Sequence, residues 1–309
     1  MVRVCEDTIP LEFVRKQKPK AKYPGFDLHP VLKEQIDIYL KNVNKDWDFV
    51  IIICGEGETR VGKSFFASQI GKYWTDQIKK LYGKEVPFDL KTNFVFKGEE
   101  LIKRGNFLGV TYPFSCLIFD EAGADLEGIK AMRRTTQNAK DYLRECGQYN
   151  MLTVLVLPEF FDLPKGIALN RSHCMINVYW MGDEEGYMNR GYFKYYSRPN
   201  KKQVYIRGKK NLDYNVWGYD FYGSFDNLFT MDLEEYKQLK KKALKKREVE
   251  SAKVIRWKEW LRACLVLLTK TYGNSHRELA DKIKDVGKIS INYTWIGKLI
   301  GREEVEDDN

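Results

Sequence analysis

The run CGEGETRVGKSFF, Cys54 to Phe66, sets three glycines and a lysine between an apolar stretch and a helix-like one. Within it, Gly57-Glu58-Thr59-Arg60-Val61-Gly62-Lys63-Ser64 fits the spacing G-x-x-x-x-G-K-[ST] without insertion. Upstream, FVIIIC (Phe49 to Cys54) is short and apolar, the pattern of a central parallel strand covered on both faces. Downstream, KSFFASQIGKYWTDQIKKLYG reads as a helix closing at Gly83. Strand, glycine loop and helix in that order let backbone N–H groups curl around an anion. The helix N-terminus adds partial positive charge to the loop, and the lysine adds a full charge. The expected ligand is ATP. Gly57, Glu58, Thr59, Arg60, Val61, Gly62, Lys63, Ser64 and Phe65 would line its phosphates, with Lys63 on the β and γ groups and Ser64 on Mg²⁺.

A second stretch, CLIFDEAG, ends an apolar strand in Asp120 and Glu121. Phosphoryl chemistry at such a loop needs one acid at a strand tip to organise the metal, and a second to orient or deprotonate water. Asp120 suits the first task and Glu121 the second, with Lys63 as the other catalytic candidate. The 57 positions from Lys63 to Asp120 leave room for a helix and an additional strand, NFVF (Asn93 to Phe96). Further strand-like runs at LTVLVL (Leu152 to Leu157) and CMINVYW (Cys174 to Trp180) alternate with helix-length segments, which argues for an α/β fold built on a parallel sheet. GYFKYYS and KQVYIRG flank RPNK, and the spacing predicts an added β-hairpin over Gly191 to Gly208.

With these two motifs in place, the chain resembles the additional-strand, catalytic-glutamate P-loop ATPases. Within them it resembles the FtsK/HerA-type DNA translocases and their viral packaging and Zot-like relatives. The resemblance covers roughly Asp48 to Trp180, and GETRVGKS and LIFDEAG are its most specific parts. It implies a RecA-like core, a homo-oligomeric ring, and an arginine lent to the γ-phosphate by a ring neighbour. Arg171, Arg134, Arg133 and Arg144 are the candidates for that arginine. It also implies a polar sensor at the end of the strand after the acidic pair. This chain has Leu157-Pro158-Glu159 there, a departure from the usual Gln or Thr.

Composition bounds the rest. The 309 residues carry a formal net charge of +9, which favours an anionic partner such as DNA. Six cysteines without CxxC pairing read as reduced, buried thiols of a cytoplasmic protein. No apolar run approaches the roughly 20 residues that span a bilayer, and Glu6, Asp7 and Pro10 break any signal-peptide core, so integral membrane association is not expected.

The chain divides into an N-terminal arm (1–29), a P-loop ATPase domain with its hairpin (30–232), a basic helical linker (233–250) and a small all-α domain (251–309). The arm carries the basic cluster RKQKPKAK, and apolar residues from Val31 to Val43 recur at helical spacing after Pro30. The linker holds KQLKKKALKKR, seven basic residues and no acid. In the last domain, Ser275-His276-Arg277-Glu278 forms a capping box ahead of one helix, and Ser290 can cap INYTWIGKLIG. The pair resembles a helix-turn-helix or winged-helix module, with Asn292, Tyr293, Thr294 and Lys298 toward DNA.

The sequence thus points to an ATP-hydrolysing motor that moves DNA for a virus, plasmid or other mobile element. Two alternatives remain open. One is a non-motor ATP switch such as a helicase loader, replication initiator or ATP-gated regulator; the other is a Zot-like virion assembly ATPase.

Overall fold

The computed structural model describes residues 27–126, 134–182, 184–272, 275–287 and 296. The expected N-terminal arm up to residue 26, Arg133, and the DNA-contact candidates Asn292, Tyr293, Thr294 and Lys298 lie outside the described residues.

Strand β1 (Phe49–Cys54) is buried along its whole length, as its unbroken apolar run requires. It pairs in parallel with β4 (Leu152–Val156) on one side and β5 (Cys174–Gly182) on the other, so that Ile53 faces both Val156 and Ile176. Strands β2 (Phe94–Val95) and β3 (Cys116–Phe119) extend the parallel part beyond β4. Strands β6 (Met188–Tyr196) and β7 (Phe221–Ser224) add to β5 antiparallel. The result is one seven-stranded sheet ordered β2-β3-β4-β1-β5-β6-β7, a mixed α/β architecture.

Helices cover the sheet. Helix α1 (Pro30–Val43) buries Leu32, Ile36, Leu40 and Val43, the stripe that the periodicity predicts. Helix α2 (Lys63–Tyr82) buries Phe66, Ile70, Trp74 and Ile78, and the Trp74 indole donates to the Phe114 carbonyl at 2.7 Å. Gly83 ends it in a left-handed conformation (φ 63°), its N–H reaching the Lys79 carbonyl. Asp89 caps α3 (Leu90–Asn93) by accepting from the Lys91 and Thr92 amides, both at 2.9 Å. Val50, Ile52 and Cys54 of β1 join Leu117 and Phe119 in a core with Leu101 and Leu108 of α4 (Gly98–Thr111). Ala139 and Leu143 of α6 (Arg134–Glu145) complete that layer, while α5 (Ala122–Leu126) follows directly on the acidic pair.

The expected hairpin over Gly191 to Gly208 is corrected by the structure. GYFKYYS lies in β6, whose hairpin partner is β5, and KQVYIRG belongs to helix α7 (Arg198–Gly208). Pro199 sits in the first turn of that helix, where its fixed φ is favourable. The buried stripe runs Lys201, Val204, Tyr205, Gly208, so a lysine and a glycine occupy two of its four places. Lys201 is fully buried and donates to the Ala168 and Leu169 carbonyls at 2.6 and 3.3 Å. Burial pulls its pKa down to about 8.

His173, just before β5, gives the fold a pH dependence. Its Nδ1 accepts from the Val50 amide at 3.2 Å, and its own backbone N–H donates to the Val50 carbonyl at 2.8 Å. Burial lowers the imidazole pKa to about 4. Between pH 6.5 and 4 the unfolded chain therefore holds a proton there that the folded chain does not, so stability falls as pH drops through that window. For a partly exposed ring the loss is about 2 kcal/mol. His173→Asn, which keeps an acceptor for Val50, is expected to flatten urea midpoints measured between pH 6.5 and 4. His29, also lowered by burial, stays in both chains and cancels in the comparison.

The chain divides into two compact units, Met1–Lys240 and Lys241–Asn309. Helix α8 (Leu233–Tyr272) is continuous through the segment expected to be a linker. In the second unit, Leu265, Leu279, Ala280 and Ile296 form a small core with Leu261 and Ile283. Trp257 and Trp260, part of the apolar period in the sequence, instead stand exposed and meet edge to face at 5.3 Å. The capping box forms as expected at the start of α9 (His276–Gly287): the Ser275 amide donates to Glu278 and the Glu278 amide to Ser275 Oγ. No described helix is long and apolar enough to cross a membrane.

Candidate functional site

The loop from Gly55 to Gly62 joins the C-terminal end of β1 to the N-terminus of α2. Neighbouring strand ends fix its path. The Pro158 carbonyl, just beyond β4, accepts from the Gly55 and Gly57 amides at 3.2 and 2.9 Å. Asn177 of β5 donates to the Glu56 carboxylate at 2.6 Å. A Cβ on Gly55 would lie 3.0 Å from the Val178 carbonyl and 3.1 Å from Lys63 Nζ, so a side chain there would crowd both. Gly62 takes φ 102°, a conformation closed to most side chains, and turns the chain into the helix. Glu56 and Arg60 adopt positive φ without being glycine, a local cost of the kind that surrounding structure sustains at binding loops.

At the start of α2, Gly62 offers no side chain as a cap, and the first helical hydrogen bond is that of the Phe66 amide to the Gly62 carbonyl. The amides of Lys63, Ser64 and Phe65 therefore precede the helical ladder, where an anion is stabilised by both donors and dipole. Lys63 folds back to donate to the Glu58 carbonyl. Burial lowers its pKa, against the opposing pull of nearby acids.

The acid pair comes from β3. Asp120 is 2% exposed and its amide donates to the Val95 carbonyl of β2, which holds the strand end in place. Ser64 Oγ lies 3.1 and 3.2 Å from the two Asp120 oxygens, so the two expected metal ligands already converge. Hydroxyl and carboxylate oxygens are the hard donors that Mg²⁺ takes, usually alongside substrate phosphates, and the pair fits that ion. Glu121 follows at φ 61°, its amide donating to Asp120 Oδ1 at 3.1 Å. The backbone turn thus presents the two carboxylates separately. Loop, helix start and acid pair line one cavity of about 370 Å³.

Three residues that the sequence reading did not single out share this cavity: Arg190 of β6, and Tyr236 and Lys240 of α8. The Tyr236 hydroxyl donates to Asp120 Oδ2. Lys240 Nζ lies 2.7 Å from Glu121 Oε1 and 3.3 Å from Asp120 Oδ2. Their helical spacing, four apart on one face, is the only local signal for the pair.

Among the arginine candidates, Arg171 does not face the cavity. Its guanidinium pairs with Asp48 and donates to the Leu143 carbonyl. Asp48 precedes β1 whereas the loop follows it, and six residues at about 3.3 Å each put roughly 20 Å between them. Arg144 is exposed and pairs with Asp141 at 3.3 Å, while Arg134 opens α6. At the sensor position Pro158 lines the cavity, and Glu159 turns to accept from the Tyr214 hydroxyl and the Phe161 amide. Burial raises the Glu159 pKa.

No family model matches the chain, and no curated protein matches it in sequence. Solved structures do show some likeness. The genome packaging NTPase B204 of Sulfolobus turreted icosahedral virus 2, in complex with ATP-gammaS, is 13% identical over 50% of this chain and 94% of that chain, with a TM-score of 0.33. The N-terminal domain of zonular occludens toxin from Neisseria meningitidis is 11% identical over 62% of this chain and 98% of its own, at 0.35. A KaiC-like protein from Pyrococcus horikoshii OT3 is 16% identical over 50% of this chain and 78% of its own, at 0.27. At such scores the likeness carries no functional argument; the residues of the cavity carry it.

Proposed function

We propose that the chain is a Mg²⁺-dependent ATPase that works as a ring-forming motor on DNA, of the kind that packages or transfers the genome of a virus or other mobile element. The observation that carries the ATPase reading is the meeting of Ser64, Asp120 and Glu121 beside the uncapped start of α2, in one cavity with Lys63. A bound Mg²⁺ would neutralise charge on the phosphate oxygens. The chain's own residues do the rest. Amides of the loop and of Lys63 to Phe65 hold the phosphates, Lys63 leaves the Glu58 carbonyl to reach them, and Glu121 orients water and takes its proton. An arginine from a neighbouring copy completes the site. Arg144, exposed and lightly paired, suits that role better than Arg171, which the fold employs.

The DNA part of the reading rests on the net charge of +9, the lysine run that continues beyond Lys240 from Lys241 to Arg247, and the resemblance of GETRVGKS and LIFDEAG to DNA translocases. Its test is the ATPase rate with and without duplex and single-stranded DNA at several salt concentrations. Stimulation that fades with salt is expected; a slow rate indifferent to DNA would replace the motor by an ATP switch. In an equilibrium titration with a fluorescent ATP analogue, Lys63→Ala is expected to weaken ATP binding roughly tenfold to a hundredfold, the worth of a charge-assisted contact. Unchanged binding would remove the loop from the site.

A further inference from the structure

The segment after β7 is a strap braced against α2. Phe225 stacks on Phe66 at 4.2 Å between ring centres. Gln69 Nε2 donates to the Asp226 and Leu228 carbonyls at 2.6 and 2.7 Å, and Thr230 donates to the Ser68 carbonyl at 3.2 Å. Phe229 packs between Phe65 and Tyr236, at 5.3 and 4.7 Å. Asp232 then caps α8, accepting from the Glu234 and Glu235 amides at 2.8 and 3.0 Å. The contacts to Phe65, Phe66, Ser68 and Gln69 tie the strap to the helix that begins at the phosphate loop, and those of Phe229 and Asp232 tie it to α8, so the first turns of α8 are delivered to the acid pair by the fold.

What they deliver is a cation and a hydroxyl. Tyr236, 6% exposed, spends its hydroxyl on Asp120 Oδ2, and Lys240 bridges both acids. Asp120 Oδ2 thereby has the Tyr236 hydroxyl, the Lys240 ammonium and Ser64 Oγ around it. A metal ion drawn to Asp120 competes with the Tyr236 hydroxyl and the Lys240 ammonium for this carboxylate. The same ammonium holds Glu121 Oε1, one of the two oxygens that could engage water.

We propose that Lys240, anchored through Tyr236, is a built-in competitor of the divalent metal. It occupies the Asp120–Glu121 pair, sets the metal concentration at which nucleotide is taken up, and releases Glu121 only when metal and nucleotide arrive together. This rests on the ATPase reading above. The energetic sense is simple: a partly buried ammonium within 3.3 Å of a nearly fully buried carboxylate is a strong local counter-ion, and removing it leaves the carboxylate more open to Mg²⁺.

The test titrates free Mg²⁺ against the full chain at fixed concentration of a fluorescent ATP analogue, reading binding and not turnover. Lys240→Met is expected to lower the half-saturating Mg²⁺ concentration by roughly tenfold, the effect of losing one close counter-charge. Lys240→Arg, which keeps the charge, should stay near the wild-type midpoint. Lys240→Gln, which keeps a polar contact to Glu121 without charge, should shift as Met does, and it decides the matter where the Met variant loses its circular dichroism spectrum. An unshifted or raised midpoint in the neutral variants, beside normal metal-dependent binding by the wild type, overturns the competitor role alone. Failure of the wild type to bind the analogue at any Mg²⁺ concentration overturns the ATPase reading and the competitor with it.

Discussion

Replacing Glu121 with Gln is expected to cut steady-state ATP turnover by about 10²- to 10⁴-fold, the usual worth of a positioned general base, while leaving ATP affinity within a few-fold of wild type. The geometry predicts this separation. Glu121 stands one residue beyond the Ser64–Asp120 pair, with its backbone left-handed and its side chain partly exposed, and its ion pair is with Lys240. Gln keeps the shape and can still accept from Lys240, so the loop, the metal ligands and the strap remain in place. Only the basicity goes. A single-turnover experiment separates the effects: analogue binding proceeds, and the hydrolysis phase slows. Turnover equal to wild type would assign the proton to another group, and a parallel loss of affinity would make Glu121 a binding residue.

How much of this was legible in the sequence depends on how local each signal is. β1, the loop and α2 follow one another without interruption, and each announces itself by a different rule: an apolar run, a fixed spacing of glycines and lysine, a helical period ended by Gly83. Asp120 and Glu121 were equally plain because the strand before them is apolar throughout. Helix α7 was hidden for a physical reason. Its buried stripe contains Lys201, whose ammonium is satisfied by two carbonyls from a segment some thirty residues earlier, and Gly208, so hydropathy shows no helical face. Tyr236 and Lys240 were hidden by the same mechanism. Lys240 opens the dense part of a basic run that looks like a solvated surface, and what distinguishes it from its neighbours is an acid pair about 120 positions away in the chain. Side chains whose role depends on a long-range partner leave no local period to read.

Arg171 carries the second large effect, in stability. Arg171→Met is expected to destabilise the first unit by about 3 kcal/mol in urea unfolding, at the lower end for breaking a buried ion pair because both side chains keep a small exposure. The guanidinium joins three elements: Asp48 ahead of β1, the Leu143 carbonyl in α6, and Cys146, whose sulfur lies at 3.3 Å. Its loss leaves an uncompensated carboxylate at the entry to the central strand. Pairing Arg171→Met with Asp48→Asn should restore part of the loss, since the amide needs no counter-charge, and the double-mutant cycle measures the coupling directly. The experiment also separates this arginine from one that acts on a neighbour's nucleotide. A structural arginine lowers the urea midpoint in proportion to its buried contacts and leaves turnover per folded molecule near wild type under stabilising conditions. A trans-acting arginine does the reverse, abolishing turnover by several powers of ten with the midpoint unmoved. With its side chain committed about one strand length from the phosphate loop, Arg171 is expected to follow the first pattern, and Arg144, exposed at the far end of α6, is the variant in which to look for the second.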